Sequence, residues 1–280
     1  MSLSEAYACC EEITGAEARN FSYGIRLLPP AKRQAMSAIY AMARRVDDIG
    51  DGDLPPGEKL ARLATVRKHL AQQPPPQDDL VLVALHDAAE RFPIPLPAFG
   101  ELIEGCEMDA AATGYETFDE LVGYCRRVAG SIGRLSLGVF GATDLEAAAP
   151  RADALGIALQ VTNILRDLVE DRDELGRVYV PREDLHRFGI GPDLGGRPDD
   201  LAALVVFEAR RAVPYWERGL GLLPMLDRRS RACVAAMAGI YHRLFTRIQR
   251  SPTDVLTTRV SLPSWEKAWV AARSLAGGGA

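Results

Sequence analysis

Leu155, Ile157, Ala158, Leu159, Val161, Ile164, Leu165 and Leu168 spread around most of the circumference of one helix. A helix that is apolar nearly all round belongs in the interior of a protein. Gln160, Asn163, Asp167 and Asp171 nevertheless share one narrow strip of that helix, at spacings i, i+3, i+7 and i+11. Polar groups taken out of water are costly unless they find partners. The strip therefore has to line an internal cavity, a metal site or a hydrogen-bond network. Few folds satisfy both demands: the helix must be enclosed by others and still open onto polar space.

Asp167 and Asp171 stand four residues apart, and the chain repeats that spacing far upstream with Asp47 and Asp51. Like charges at i, i+4 repel on a helix, and two carboxylates on a buried strip repel more strongly without a cation. Hard carboxylate oxygens suit Mg²⁺, which keeps several waters and reaches toward phosphate oxygens. The first pair extends an apolar stripe made by Met36, Tyr40 and Ala43, with Arg44 flanking it and Arg45 on the opposite side. An acidic helix end meeting solvent through Asp51-Gly52-Asp53 is the competing reading of that pair. For the second pair it is a satisfied polar network.

The chain has 280 residues, of which 48 % are hydrophobic, enough for one large domain with a substantial core. A net charge of −5 argues against a nucleic-acid binder. No secretory signal and no run approaching ~18 apolar residues is present. A cytoplasmic protein is expected, with transient contact at the inner face of a membrane left open. Cys9, Cys10, Cys106, Cys125 and Cys233 match no zinc pattern, which fits a reduced chain with idle thiols. His69, His86, His186 and His242 are scattered, so neither a zinc centre nor a histidine triad is supported.

Helical periodicity dominates and no run alternates as a strand does. The pattern predicts helices over about 31–48, 57–72, 79–91, 96–112, 117–139, 145–171, 199–222, 228–249 and 263–275. Breaks fall at Pro29-Pro30, Pro55-Pro56-Gly57, Pro74-Pro75-Pro76 and the stretch Gly189 to Pro198. The expectation is one all-α domain over 1–280, with a tail from about 276 to 280 that frays.

Arg166 lies about 100° from Asp167 on a continuous helix, so it is expected to reach a neighbouring helix or a phosphate instead. Arg177 and Tyr179 follow in a turn just past the acidic end, where an arginine suits bidentate binding of diphosphate oxygens. An ordinary surface arginine fits that position equally on spacing alone. Gly130 and Gly133 interrupt a helical pattern, either for close packing or to make room for an apolar ligand.

Taken together, these residues resemble the squalene/phytoene synthase family of head-to-head prenyltransferases. The resemblance rests on Asn20-Phe21-Ser22-Tyr23, on Ala38-Ile39-Tyr40-Ala41 leading to Arg44 and Asp47-Asp48-Ile49-Gly50-Asp51, and on Tyr124 with Val128 to Gly133. It is strongest from Gln160 to Asp171 followed by Gly176-Arg177-Val178-Tyr179. It implies an isoprenoid-synthase-like helical bundle around a central cavity, with Asp47, Asp51, Asp167 and Asp171 holding Mg²⁺ on substrate diphosphates. Tyr40, Arg44, Tyr124, Arg166 and Arg177 would serve catalysis. Phe21, Ser22, Gln160, Asn163, Tyr179, Tyr241 and Arg259 would bind prenyl diphosphate substrate. Tyr40 and Tyr124 would stabilise a carbocation through their π faces, and no side chain is an obvious base. Within the family, the stretches 18–24, 124–137 and 259–267 most resemble bacterial hopanoid-pathway presqualene diphosphate synthases, which join two farnesyl diphosphates without NADPH. Squalene synthase with NADPH, or phytoene synthase acting on geranylgeranyl diphosphate, is the alternative. Gly114 departs from the family where relatives often carry a basic residue.

Overall fold

A computed structural model describes residues 2–18 and 20–277. Among them there is no strand, and fourteen α-helices enclose one hydrophobic core. They are α1 (Leu3–Glu17), α2 (Phe21–Ile25), α3 (Pro30–Asp51), α4 (Pro56–Ala71), α5 (Leu80–Arg91), α6 (Ala98–Ala110) and α7 (Phe118–Cys125). A π-helical turn, Arg126–Gly130, joins α7 to α8 (Ser131–Phe140). There follow α9 (Leu145–Arg166), α10 (Leu168–Leu175), α11 (Arg182–Arg187), α12 (Pro198–Leu220), α13 (Arg228–Arg250) and α14 (Ser264–Leu275). The expected fraying tail lies mostly at 278–280, outside the described residues.

The apolar helix expected from the sequence is α9, and it sits at the centre, packed against α8, the π-helical turn, α12 and α13. Asp144 caps it by accepting from the Ala147 N–H. On the other side of the cavity α3 packs on α1, α5 and α6. Pro30 occupies the first turn of α3, where its missing N–H costs nothing.

Three differences from the sequence expectation stand out. First, α1 has no counterpart among the expected helices, although Ser2 and Glu5 form a capping box that marks its start. Second, the helix expected over 145–171 breaks at Asp167, whose backbone (φ −100°, ψ 13°) leaves the helical region and separates α9 from α10. Third, α3 continues through Gly50 to Asp51, placing both aspartates on one helix.

Gly133, in the segment after Tyr124, and Gly156 on α9 serve close packing. A Cβ on Gly133 would lie 2.6 Å from the Ala152 carbonyl oxygen, and one on Gly156 would lie 2.5 Å from that of Ala129. These glycines bring α8 and the π-helical turn within backbone distance of α9. Gly114 makes room for the Arg182 guanidinium, which pairs with Glu116 at 2.5 Å, and neither Gly114 nor Arg182 lines the central cavity. No helix among the described residues is long and apolar enough to cross a membrane.

Candidate active site

The core opens onto a cavity of about 840 Å³ between α3 and the α9–α10 junction. Both aspartate pairs line it: Asp47 and Asp51 from α3, Asp167 and Asp171 from the break and the start of α10. The polar strip of α9, Gln160 and Asn163, faces the same space. Phe21, Tyr40, Arg44, Tyr124, Arg166, Arg177, Tyr179, Tyr241 and Arg259 also line it. Ser22 does not: among the described residues it is absent from the lining, because successive positions of the short helix α2 diverge by 100° and Phe21 takes the inward one.

The arginines divide the four carboxylates into two kinds. Arg177, only 9 % exposed, reaches Asp51 at 2.6 Å and the Gly50 carbonyl at 2.8 Å. Arg166 forms a two-pronged pair with Asp167, its Nε 2.7 Å from Oδ1. That pairing corrects the sequence expectation for Arg166. The 100° separation holds only on a continuous helix, and the break at Asp167 swings its carboxylate back toward its neighbour. Arg259 adds a contact to Asp167 at 3.0 Å and one to Glu170 at 3.1 Å.

Asp47 and Asp171 lack such close arginines. Arg44 spends its 2.6 Å contact on Asp48 and comes no nearer than 3.4 Å to Asp47. Asp47 is 52 % open to the cavity, yet the surrounding protein and the Asp51 carboxylate push its pKa up to about 7. Burial, then Asp167 and Asp51, push Asp171 up to about 7. Each pair thus has one neutralised carboxylate and one that lacks a close counter-charge. Arg45 points away from the site, as its position on α3 requires, and pairs with Asp79 at 2.6 and 2.9 Å.

Mg²⁺ fits this donor set. No group of three or more His, Cys, Asp or Glu side chains among the described residues forms a closed cage. Mg²⁺ does not need one, because it is usually held by one or two carboxylates plus substrate phosphates and water. Three buried polar atoms of cavity residues also lack partners: Asn20 Oδ1, Arg44 Nε and Asn163 Oδ1. Such atoms call for a ligand or water.

Asp109 is one of several cavity residues that the sequence reading leaves out. Asp109, on α6, accepts hydrogen bonds from Tyr124 Oη at 2.9 Å and Tyr179 Oη at 3.0 Å. The two rings stack with centroids 5.2 Å apart, and Tyr115 packs on Tyr124 at 5.4 Å. Burial raises Asp109 to about 6 against the pull of Arg177 and the two hydroxyls. The signal was available: Asp109 follows Phe99, Leu102 and Cys106 along the core-facing stripe of α6, as Asp47 follows Tyr40. Facing this cluster, Phe21 packs on Tyr241 at 5.6 Å, and burial pushes the Tyr40 hydroxyl up to about 12.

The cavity therefore has a charged rim of carboxylates and arginines beside aromatic walls. The five cysteines are free thiols, and none lines the cavity.

Comparison with known proteins agrees with this arrangement. Residues 14–266 match the family described as squalene/phytoene synthase. Phytoene synthase from Mycobacterium tuberculosis is 50 % identical over 280 residues, covering 98 % of this chain and 92 % of that protein. Among solved structures, a dehydrosqualene synthase in complex with a ligand superposes with a TM-score of 0.89, at 28 % identity over 98 % of this chain and 97 % of the other. Squalene synthase HpnC from Alicyclobacillus acidocaldarius gives 0.80, at 29 % identity over 89 % and 95 %. The chain belongs to the squalene/phytoene synthase family.

Proposed function

We propose that this protein joins two molecules of geranylgeranyl diphosphate head to head to give phytoene, with loss of both diphosphates. One arrangement carries the condensation: two aspartate pairs, with arginines between and beside them, share one cavity with aromatic walls. The choice of substrate is supported by the 50 % identity to a protein named phytoene synthase. It departs from the farnesyl-based, hopanoid-type reading that the sequence resemblance placed first, and adopts what that reading held as its alternative.

Bound Mg²⁺ would supply Lewis-acid stabilisation of a departing diphosphate. Asp47 and Asp171, which lack a close counter-charge, would hold it, with Asp51 and Asp167 joining as substrate phosphates draw Arg177, Arg166 and Arg259 to themselves. These arginines offer planar forks that match phosphate oxygens. The aromatic walls exclude water from the allylic cation. The π faces of Tyr40 and Tyr124 stabilise its charge. Attack by the second substrate's double bond and loss of one proton close a cyclopropane; departure of the second diphosphate then opens the ring, and loss of a second proton gives phytoene without a reductant. The Asp109 carboxylate fixes the Tyr124 and Tyr179 hydroxyls while this happens. The free cysteines support a reduced, cytoplasmic setting.

Incubating the purified protein with farnesyl or geranylgeranyl diphosphate and Mg²⁺, with and without NADPH, tests the assignment by mass analysis of products. Phytoene from geranylgeranyl diphosphate without NADPH is expected. Presqualene diphosphate as the only product, from farnesyl diphosphate, would replace this reading with the hopanoid-type one. That reading draws its support from the dehydrosqualene and squalene synthase folds. Squalene formed only with NADPH would make the protein a squalene synthase.

A further inference from the structure

Helix α14 has two apolar faces, and only one of them meets the protein. Its inner face buries Val270, Ala271 and Ser274 against α13. Glu266 is buried there too and ties α13 down through Arg243 at 2.9 Å and Arg247 at 2.5 Å. Its outer face carries Trp265, Ala268, Trp269 and Ala272, all exposed, at spacings i, i+3, i+4 and i+7. Trp265 is 71 % exposed and Trp269 47 %. No other tryptophan is exposed: Trp216, the third in the chain, is 2 % exposed.

Charge around this face is opposite in sign to that of the whole chain. Residues 239–277 contain six Arg and Lys side chains against two acidic ones, although the net charge of the chain is −5. Arg243 and Arg273 stand over the Trp269 ring at 4.8 and 5.4 Å. Arg247, Arg250 and Arg259 line a recess of about 410 Å³ that shares Arg259, Val260 and Ser261 with the active-site cavity. The segment from Arg259 to Leu262, which lines that cavity, runs directly into α14.

We propose that the outer face of α14 docks on an anionic phospholipid bilayer. Trp265 and Trp269 sit at headgroup depth, and the flanking arginines bind lipid phosphates. Tryptophan favours the membrane interface because it is apolar with one polar N–H, and cationic side chains are attracted to anionic lipids. A helix of this type lies in the interface without spanning it. The cavity mouth then opens beside the bilayer. If the condensation proposed above holds, its hydrocarbon product leaves into lipid without crossing water.

The experiment uses the full-length protein without substrate, so its outcome does not depend on the assigned reaction. Tryptophan emission and co-sedimentation are measured with phosphatidylcholine vesicles, with and without phosphatidylglycerol. The native protein should bind the anionic vesicles with a blue shift, and added salt should weaken binding. A Trp265→Ala, Trp269→Ala double variant should bind at least tenfold more weakly with an unchanged helical CD spectrum. Arg273→Glu should lose the preference for phosphatidylglycerol. Absence of binding by the native protein, equal binding by the double variant, or equal binding to both vesicle types would overturn the proposal. So would sedimentation showing a dimer that buries both tryptophans.

Discussion

Arg177 and Asp51 stand 126 residues apart in sequence and 2.6 Å apart in the folded protein. The backbone N–H of Arg177 also donates to the Asp171 carbonyl at 2.9 Å, so one residue ties the end of the first aspartate pair to the end of the second. Gly176 makes this turn possible with a left-handed backbone (φ +65°) that other residues adopt at a cost of about 1 kcal/mol or more. Arg177→Ala should leave Asp51 without its cation and lower stability by about 1–2 kcal/mol, since Asp51 remains partly solvated. Turnover should fall a hundredfold or more. Arg177→Lys, which keeps the charge but not the fork, should recover stability more than turnover. Thermal melts and steady-state kinetics on both variants check this.

Asp47→Asn and Asp171→Asn remove the carboxylates that lack close arginines. Each should lower kcat by about 10²–10³ or more, the scale of losing one group that stabilises developing charge. The melting temperature should stay the same or rise, because a repulsive carboxylate is lost. A diphosphate-release assay beside a thermal melt measures both. Full activity in either variant would remove the metal-site assignment.

Mg²⁺ and a non-hydrolysable prenyl diphosphate should stabilise the protein together far more than either alone, because the aspartates do not close a cage without phosphate oxygens. At a hundredfold excess over Kd the gain is about 2.7 kcal/mol. That corresponds to a rise of several degrees in the melting temperature for a domain of this size. Differential scanning fluorimetry with each component separately and together provides the comparison.

Asp109→Ala should leave the Tyr124 and Tyr179 hydroxyls without their acceptor, costing about 1–3 kcal/mol of stability. Its kcat should fall more than its KM rises, since the tyrosines lose their orientation while diphosphate contacts remain. Asp109→Asn keeps an acceptor oxygen and should lie between wild type and Asp109→Ala in both measurements.

Away from the site, Glu208 is buried beside Asp184, whose other contact is Arg211 at 2.5 Å. Burial and then Asp184 push Glu208 up to about 8, above its ordinary range near 4.5. Between those values the folded protein holds a proton that the unfolded chain releases. Stability should therefore fall as pH rises from about 4.5 to 8. Glu208→Gln keeps a neutral donor toward Asp184 and should melt at least about 2 °C higher than wild type at pH 8.5, from ~1 kcal/mol recovered. At pH 4.5 the two should coincide. Melting curves across that range decide it.

The sequence by itself determined the helices with strong periodicity and the identity of the chemistry-bearing residues. The strip from Gln160 to Asp171 sits on a helix otherwise too apolar to face water, and the same logic places Asp47 beyond Tyr40. Local spacing suffices for such inferences because side-chain direction on a helix follows from residue number alone. It also sufficed in principle for α1, through its capping box, and for Asp109, through the stripe of α6.

Tertiary structure alone decided which charges meet. The pairing of Arg177 with Asp51 depends on the turn after α10 reaching the end of α3, and that of Arg166 with Asp167 on a helix break with no Gly or Pro to announce it. Gly133 could equally have opened the core, and only the approach of α8 to α9 shows that it closes it. Which face of α14 stays outside is likewise decided by its packing on α13, which buries Val270 and Ala271 and leaves Trp265 and Trp269 exposed. Coulomb and packing energies depend on distances through space, and residue spacing fixes those only within a single unbroken helix.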